Sequence, residues 1–213
     1  MRSFFSSLAK TGIKGIKIDF MDSASRERLA FYDAVAENLA KNKLMVNFHG
    51  ANTPTGEERS WPHEMSREGI YGGEQNIWAA IGGRHYCALP FTRLVSGHAD
   101  FTGGYFGHGP KLRGSSWPLQ MAANIIYTSP VLHWVSTPAD MEAAFPKGSP
   151  EREAVRNIPS VWDETIVLPP SAIGECAAFA RRSGDQWYIA LMNGDGRERT
   201  VSIPLDFLNR NTA

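Results

Sequence analysis

The chain has 213 residues, and 22 Lys plus Arg balance 22 Asp plus Glu for a formal net charge of +0. That balance leaves no electrostatic footprint for nucleic acid or an anionic membrane surface, and no apolar run is long enough to cross a bilayer. An apolar fraction of 42% suits a globular chain with a real core. The cysteines, Cys87 and Cys176, lie too far apart for a metal or redox spacing.

In chain order, residues 2–11 read as the tail of a helix closed by Gly12, without the apolar segment of a secretory signal. Residues 13–20 alternate apolar and polar, which predicts a strand. A helix follows: Ser23 or Ser25 caps it, and Leu29, Tyr32, Val35, Ala36 and Leu39 recur along one face. Residues 44–49 predict a second strand ending at Gly50. Short connections make this a strand–helix–strand unit with parallel strands and a right-handed crossover.

Residues 51–118 are rich in Gly, Pro, Trp and His and read as long loops, where sites tend to lie. Residues 115–135 predict a helix and then an extended segment, and 138–157 predict a short polar helical stretch. From about residue 160 the pattern becomes all-β. Strands are predicted at 165–168, 175–182, 187–192 and 199–205, with hairpin turns at 183–186 and 193–196. The fold class is therefore α/β followed by an antiparallel β module.

Two consecutive strand ends carry the same polar signature. Residues two apart in a strand share a face, so Lys17 and Asp19 point together, as do Asn47 and His49. Four polar side chains then converge at the carboxyl edge of parallel strands, where α/β barrels and open sheets form their active sites. The plainer alternative is a Lys17–Asp19 salt bridge beside a loop. Further along, Glu68 and Glu74 flank a glycine-containing segment. Carboxylates on a bendable loop suit Ca²⁺, but exposed glutamate pairs without an ion are common.

The runs GIKGIKIDFMDS, LMVNFHGANTPTGEERSWPHEMSREGIYGGEQN, PFTRLVSGHADFTGG, YTSPVLHW and VWDETIVL together resemble glycoside hydrolase family 97 in order and spacing. The resemblance implies that residues 1–159 are the later part of a (β/α)8 TIM barrel, about strands 4–8. Residues 160–213 would begin a carboxy-terminal β-sandwich. The family's amino-terminal sandwich and first three barrel strands would then be lacking, leaving strand edges for self-association or for a missing amino-terminal half to cover. Members are calcium-dependent, exo-acting α-glucosidases and α-galactosidases of the periplasm or secreted space.

Carried over residue by residue, the resemblance makes Asp19 the nucleophile of a retaining enzyme and Glu74 the general acid/base. It makes Glu68 and Glu74 ligands of Ca²⁺. Lys17, Asn47, His49, Arg93 and Asp100 become substrate contacts. Inverting members lack this aspartate and carry a glutamate base where Gly50 stands here, so the pattern favours retention over an inverting α-glucosidase. An inactive remnant or sugar-binding fragment would carry the same residues. A phosphate-binding barrel would want a stronger glycine loop than Phe101-Thr102-Gly103-Gly104.

Overall fold

The computed structural model describes residues 1–104, 106 and 112–209, and these divide into two compact units. The first comprises Met1–Gly72, Arg93–Phe101 and Thr128–Leu132; the second comprises the remainder. Among the described residues no helix is long and apolar enough to cross a membrane.

In the first unit, helix α1 (Arg2–Lys10) precedes strand β1 (Gly15–Ile18), helix α2 (Arg26–Lys41) and strand β2 (Met45–Phe48). Ser25 caps α2, its hydroxyl accepting the Arg28 amide at 3.3 Å. Chain order predicts this much. The structure adds a short helix α3 (Glu57–Ser60) and a third strand, β3 (Glu64–Arg67), within the stretch read as loop. The sheet order is β1-β2-β3, all parallel.

In β1–β2 the register sets Lys17 opposite Asn47 and Ile16 opposite Val46. One sheet face is thus apolar and meets the helices. Val46 and Phe48 pack with Phe5, Tyr32, Val35 and Leu39, each almost fully withdrawn from water. Burial of such side chains supplies most of the driving force for folding.

Strand β3 escapes a period-two reading because it is irregular. Val46 pairs with Glu64, but Asn47 pairs with Ser66, so Met65 is an extra residue opposite one step of β2. The bulge puts Glu64 and Arg67, three apart, on the same face beside Val46 and Phe48. Arg67, 2% exposed, lies 4.4 Å from the Tyr32 ring centroid and 5.4 Å from that of Phe48. Its Nε and Nη2 donate to both Glu64 carboxylate oxygens at 2.7 and 3.0 Å, and Nη1 reaches Asn52 and Glu57. A buried cation is tolerated here because every side of it is matched.

Beyond β1 the backbone turns sharply, with positive φ at Phe20 (61°) and Asp22 (49°). Gly50, at φ +53°, packs against this turn. A Cβ on it would stand 3.0 Å from Phe20 N and 3.1 Å from an Asp22 carboxylate oxygen. Only glycine meets both demands at low strain.

The second unit contains helices α4 (Gly83–Ala88), α5 (Trp117–Ile126), α6 (Pro138–Ala144) and α7 (Pro150–Arg156), and an antiparallel sheet of β4 (Glu164–Val167), β5 (Cys176–Ser183) and β6 (Gln186–Asn193). One sheet face packs Leu168, Cys176, Ala178 and Ala180 under Phe207 and Ile203. From the other face Arg181, 4% exposed, donates to the carbonyls of Ile125 and Tyr127 at the end of α5. Burial pushes this guanidinium down to about 10. The predicted strand at 199–205 forms no ladder. Pro204 lacks a donor, and the Arg199 side chain is drawn to Asp195 and Glu175.

Removing Arg67 leaves Glu64 buried and unpaired. Arg67→Ala should therefore cost about 3–5 kcal/mol of stability, and Glu64→Gln with Arg67→Met should cost clearly less. Urea unfolding followed by circular dichroism reads both. Gly50→Ala should lower stability by roughly 1–3 kcal/mol in the same assay. A Gly50→Ala protein as stable as the parent would contradict the close packing on Phe20 and Asp22.

Candidate active site

The face of the parallel sheet opposite the helices ends in a dense polar cluster, all of it within the first unit. Lys17 and Asp19 follow one another along β1 and its end, Asn47 and His49 along β2, and Ser66 and Glu68 along β3. The bulge gives β3 this phase, setting Ser66 opposite Asn47. Asp100 enters from the segment Arg93–Phe101.

His49, 3% exposed, is the centre of the cluster. Its Nδ1 lies 3.3 Å from Asp19, and its Nε2 lies 3.4 Å from Glu68 and 3.7 Å from Asp100. Asp100 itself is 1% exposed and also meets Asn47 Nδ2 at 3.1 Å and Lys17 Nζ at 3.5 Å. Lys17 is therefore matched to Asp100, while Asp19 faces His49. Asp19 is partly open to solvent. Its Oδ1 accepts the Phe20 amide at 2.7 Å, fixing the carboxylate at the turn.

Asn47 donates to Ser66 Oγ at 2.8 Å as well as to Asp100, and its Oδ1 is a buried acceptor with no donor among the described residues. Glu68 accepts the Gly50 amide at 2.6 Å, which ties β3 to the end of β2. Arg93 is spent on the backbone. It donates to the carbonyls of Arg67, Glu68, Gly69, Gly97 and His98 at 2.7–3.2 Å.

Of the residues singled out from sequence, Lys17, Asp19, Asn47, His49, Glu68, Arg93 and Asp100 thus stand in the first unit. Glu74 belongs to the second unit, on a 3-10 turn spanning Gly73–Ile77. There Asn76 fixes the turn, accepting the Ile81 amide at 3.0 Å, and Arg113 holds the carbonyls of Asn76 and Ile77. Ser66 was not singled out from sequence, because the bulge at Met65 hides the alternation that would have placed it beside Asn47.

Chemically, the edge offers a partly open carboxylate backed by an imidazole, a buried second carboxylate with an ammonium, and a third carboxylate held by an amide. Such a set can grip hydroxyl groups and present a nucleophile or base. Among the described residues, this edge holds no glycine-rich phosphate cradle.

Comparison with known proteins bears on this arrangement. The profile described as "Glycoside hydrolase 97" matches residues 1–70, and that described as "Glycosyl-hydrolase 97 C-terminal, oligomerisation" matches residues 161–213. A protein of Streptomyces bingchenggensis named "Probable retaining alpha-galactosidase" is 36% identical over 199 residues, covering 93% of this chain and 30% of the relative. The "Retaining alpha-galactosidase" of Bacteroides thetaiotaomicron is 34% identical over 216 residues, covering 94% and 31%. The chain thus spans under a third of the length of these curated relatives. Among solved structures, a β-arabinopyranosidase superposes with TM-score 0.79 at 26% identity, over 90% of this chain and 32% of the other. A family 97 enzyme of Pseudoalteromonas sp. strain K8, in complex with acarbose, superposes with TM-score 0.83 at 23% identity over 99% and 36%, a likeness of fold. Matching profiles at both ends and curated relatives 34–36% identical across nearly the whole chain agree: the chain belongs to glycoside hydrolase family 97.

Proposed function

We propose that this chain carries the sugar-binding and nucleophilic side of a retaining, exo-acting α-galactosidase, with Asp19 as nucleophile. The observation that carries the reading is the pairing of a partly open Asp19 with a buried His49 at the carboxyl edge of parallel strands, 3.3 Å apart. In this reaction Asp19 attacks the anomeric carbon and Glu74 gives its proton to the departing oxygen. Glu74 then takes a proton from water as that water releases the sugar with its α configuration kept. His49, by donating to Asp19, holds the carboxylate's orientation for attack.

The sugar hydroxyls are gripped by Lys17, Asn47, His49 and Asp100. The undonated Asn47 Oδ1 is an acceptor ready for one of them. Names among the relatives favour a galactose-configured ring. Both curated relatives are called α-galactosidases, and a β-L-arabinopyranoside is an α-D-galactopyranoside without its exocyclic CH₂OH. The family's α-glucosidase activity is the alternative that the same assay decides.

The donor set fits Ca²⁺. Glu68 and Glu74 offer hard carboxylate oxygens, with no thiolate near them in sequence to select a softer metal. These two residues would hold the ion, which when bound would polarise the sugar and neutralise negative charge.

In the proposed frame the parallel strands are part of a (β/α)8 barrel, and the β module from residue 160 is a separate sandwich domain. Strand β1 pairs only with β2 among the described residues. An apolar groove of about 670 Å³, lined by Phe4, Phe5, Leu8, Ile16 and Phe31, runs beside it and reaches Asp19. Such an edge and groove suit coverage by self-association or by a further stretch of polypeptide.

The test is hydrolysis of p-nitrophenyl α-galactoside and α-glucoside, with Ca²⁺ and with EDTA, the first-formed anomer being read by NMR. We expect Ca²⁺-dependent release of the α anomer from the galactoside. Asp19→Asn should lower kcat on the order of 10⁴-fold. Full activity in Asp19→Asn, or release of the β anomer, would sink the reading, and no turnover from folded chain would make this molecule a sugar-binding remnant.

A further inference from the structure

We infer that Arg93 is a positioning residue, not a substrate contact, and that it aims the two carboxylates beside His49 Nε2, Glu68 and Asp100, by clamping the backbone that carries each; the inference rests on the glycosidase reading above. The two carboxylates arrive on separate segments. Glu68 follows β3, whereas Asp100 follows the turn Arg93–Ser96. One guanidinium spans both. Its Nη2 donates to the carbonyls of Arg67 at 2.7 Å, Glu68 at 2.9 Å and His98 at 3.2 Å. Its Nε takes Gly69 O at 2.7 Å, and its Nη1 takes Gly97 O at 3.0 Å.

Every one of those carbonyls is within three residues of Glu68 or Asp100. The other side of the Glu68 segment is closed by steric contact: Gly69, at φ +41°, lies so near Thr53 that a Cβ would stand 2.6 Å from Thr53 Cα. The segment is thus held between a wall and a clamp. Glu68 can then keep its 2.6 Å bond from the Gly50 amide, and Asp100 its bond from Asn47.

A guanidinium with no carboxylate partner is costly to shelter, and burial with Arg67 nearby pulls it down to about 10, still cationic at neutral pH. Its planar fork, with donors spread over three nitrogens, reaches five carbonyls on two segments at once, a geometry that the three donors on a lysine's single nitrogen do not reproduce. With its donors occupied by backbone, Arg93 has little left to offer a sugar hydroxyl.

The experiment uses the full chain and two variants, Arg93→Lys and Arg93→Gln. The Gly50 amide proton reports the Glu68 carboxylate directly, through its NMR shift and exchange rate. The amides of Val46 and Leu39 report the core. We expect both variants to move the Gly50 resonance and speed its exchange while the core amides keep their protection. We expect kcat to fall about 10- to 100-fold with KM within about twofold.

An unmoved Gly50 amide in both variants overturns the inference. So does equal loss of protection at Gly50, Val46 and Leu39, which would make Arg93 a general structural support. A rise in KM at constant kcat overturns it in favour of substrate contact. If the parent chain shows no hydrolysis, the glycosidase reading falls by itself, and the Gly50 amide still decides whether Arg93 aims Glu68.

Discussion

A carboxylate withdrawn from water has to be met by donors, and Asp100 imposes that demand on the whole polar edge of the first unit. At 1% exposure it would be untenable alone. Lys17 comes to it from β1, and Asn47 and His49 come from β2. One buried charge therefore couples two strands side by side at their carboxyl ends, and Asn47 passes the coupling to Ser66 on β3. The partly open Asp19 owes its surroundings to this arrangement, since the imidazole that faces it is the one that also faces Asp100.

Period-two alternation made the first two strand ends legible. It put Lys17 with Asp19 and Asn47 with His49, and the structure adds the register that sets Lys17 opposite Asn47. Helix α2 was legible from its cap and from its apolar stripe, of which Tyr32, Val35, Ala36 and Leu39 are buried while Leu29 stays exposed. Strand β3 was not, for two physical reasons: its residues Glu64, Met65, Ser66 and Arg67 are mostly polar, and the bulge breaks their alternation. Nor does sequence spacing say that Asp100 would be the most deeply buried acid of the cluster, because its burial comes from chain segments meeting across 53 residues from Asn47. The expected strand over 199–205 failed for a local reason, the missing donor of Pro204 and the pull of acidic partners on Arg199.

The second unit follows a different rule. Its sheet is buried on both faces along β5, where Cys176, Ala178 and Ala180 look one way and Ala177, Phe179 and Arg181 the other. Small alanines let the layers approach closely, and the single large cation among them ends on helix carbonyls, where a positive charge is favoured. Arginines thus serve as staples in both units, the buried Arg181 on the end of α5 and the half-buried Arg93 on the end of β3. Both donate to backbone carbonyls, and Arg181 Nε also donates to Thr165 Oγ1 at 3.0 Å.

The extra residue in β3 has a consequence for how this chain can drift. Before Met65 the strand's odd and even positions obey one assignment of faces, and after it they obey the opposite one. Glu64 and Arg67 answer to the aromatic rings of the core, while Ser66 and Glu68 answer to the polar edge around His49. Tolerance to substitution should therefore slip phase at Met65, and relatives aligned by alternation alone will be misplaced by one residue beyond it. The half-buried Met65 carries neither duty, so at this point of the strand its length matters more to the fold than the identity of its side chain.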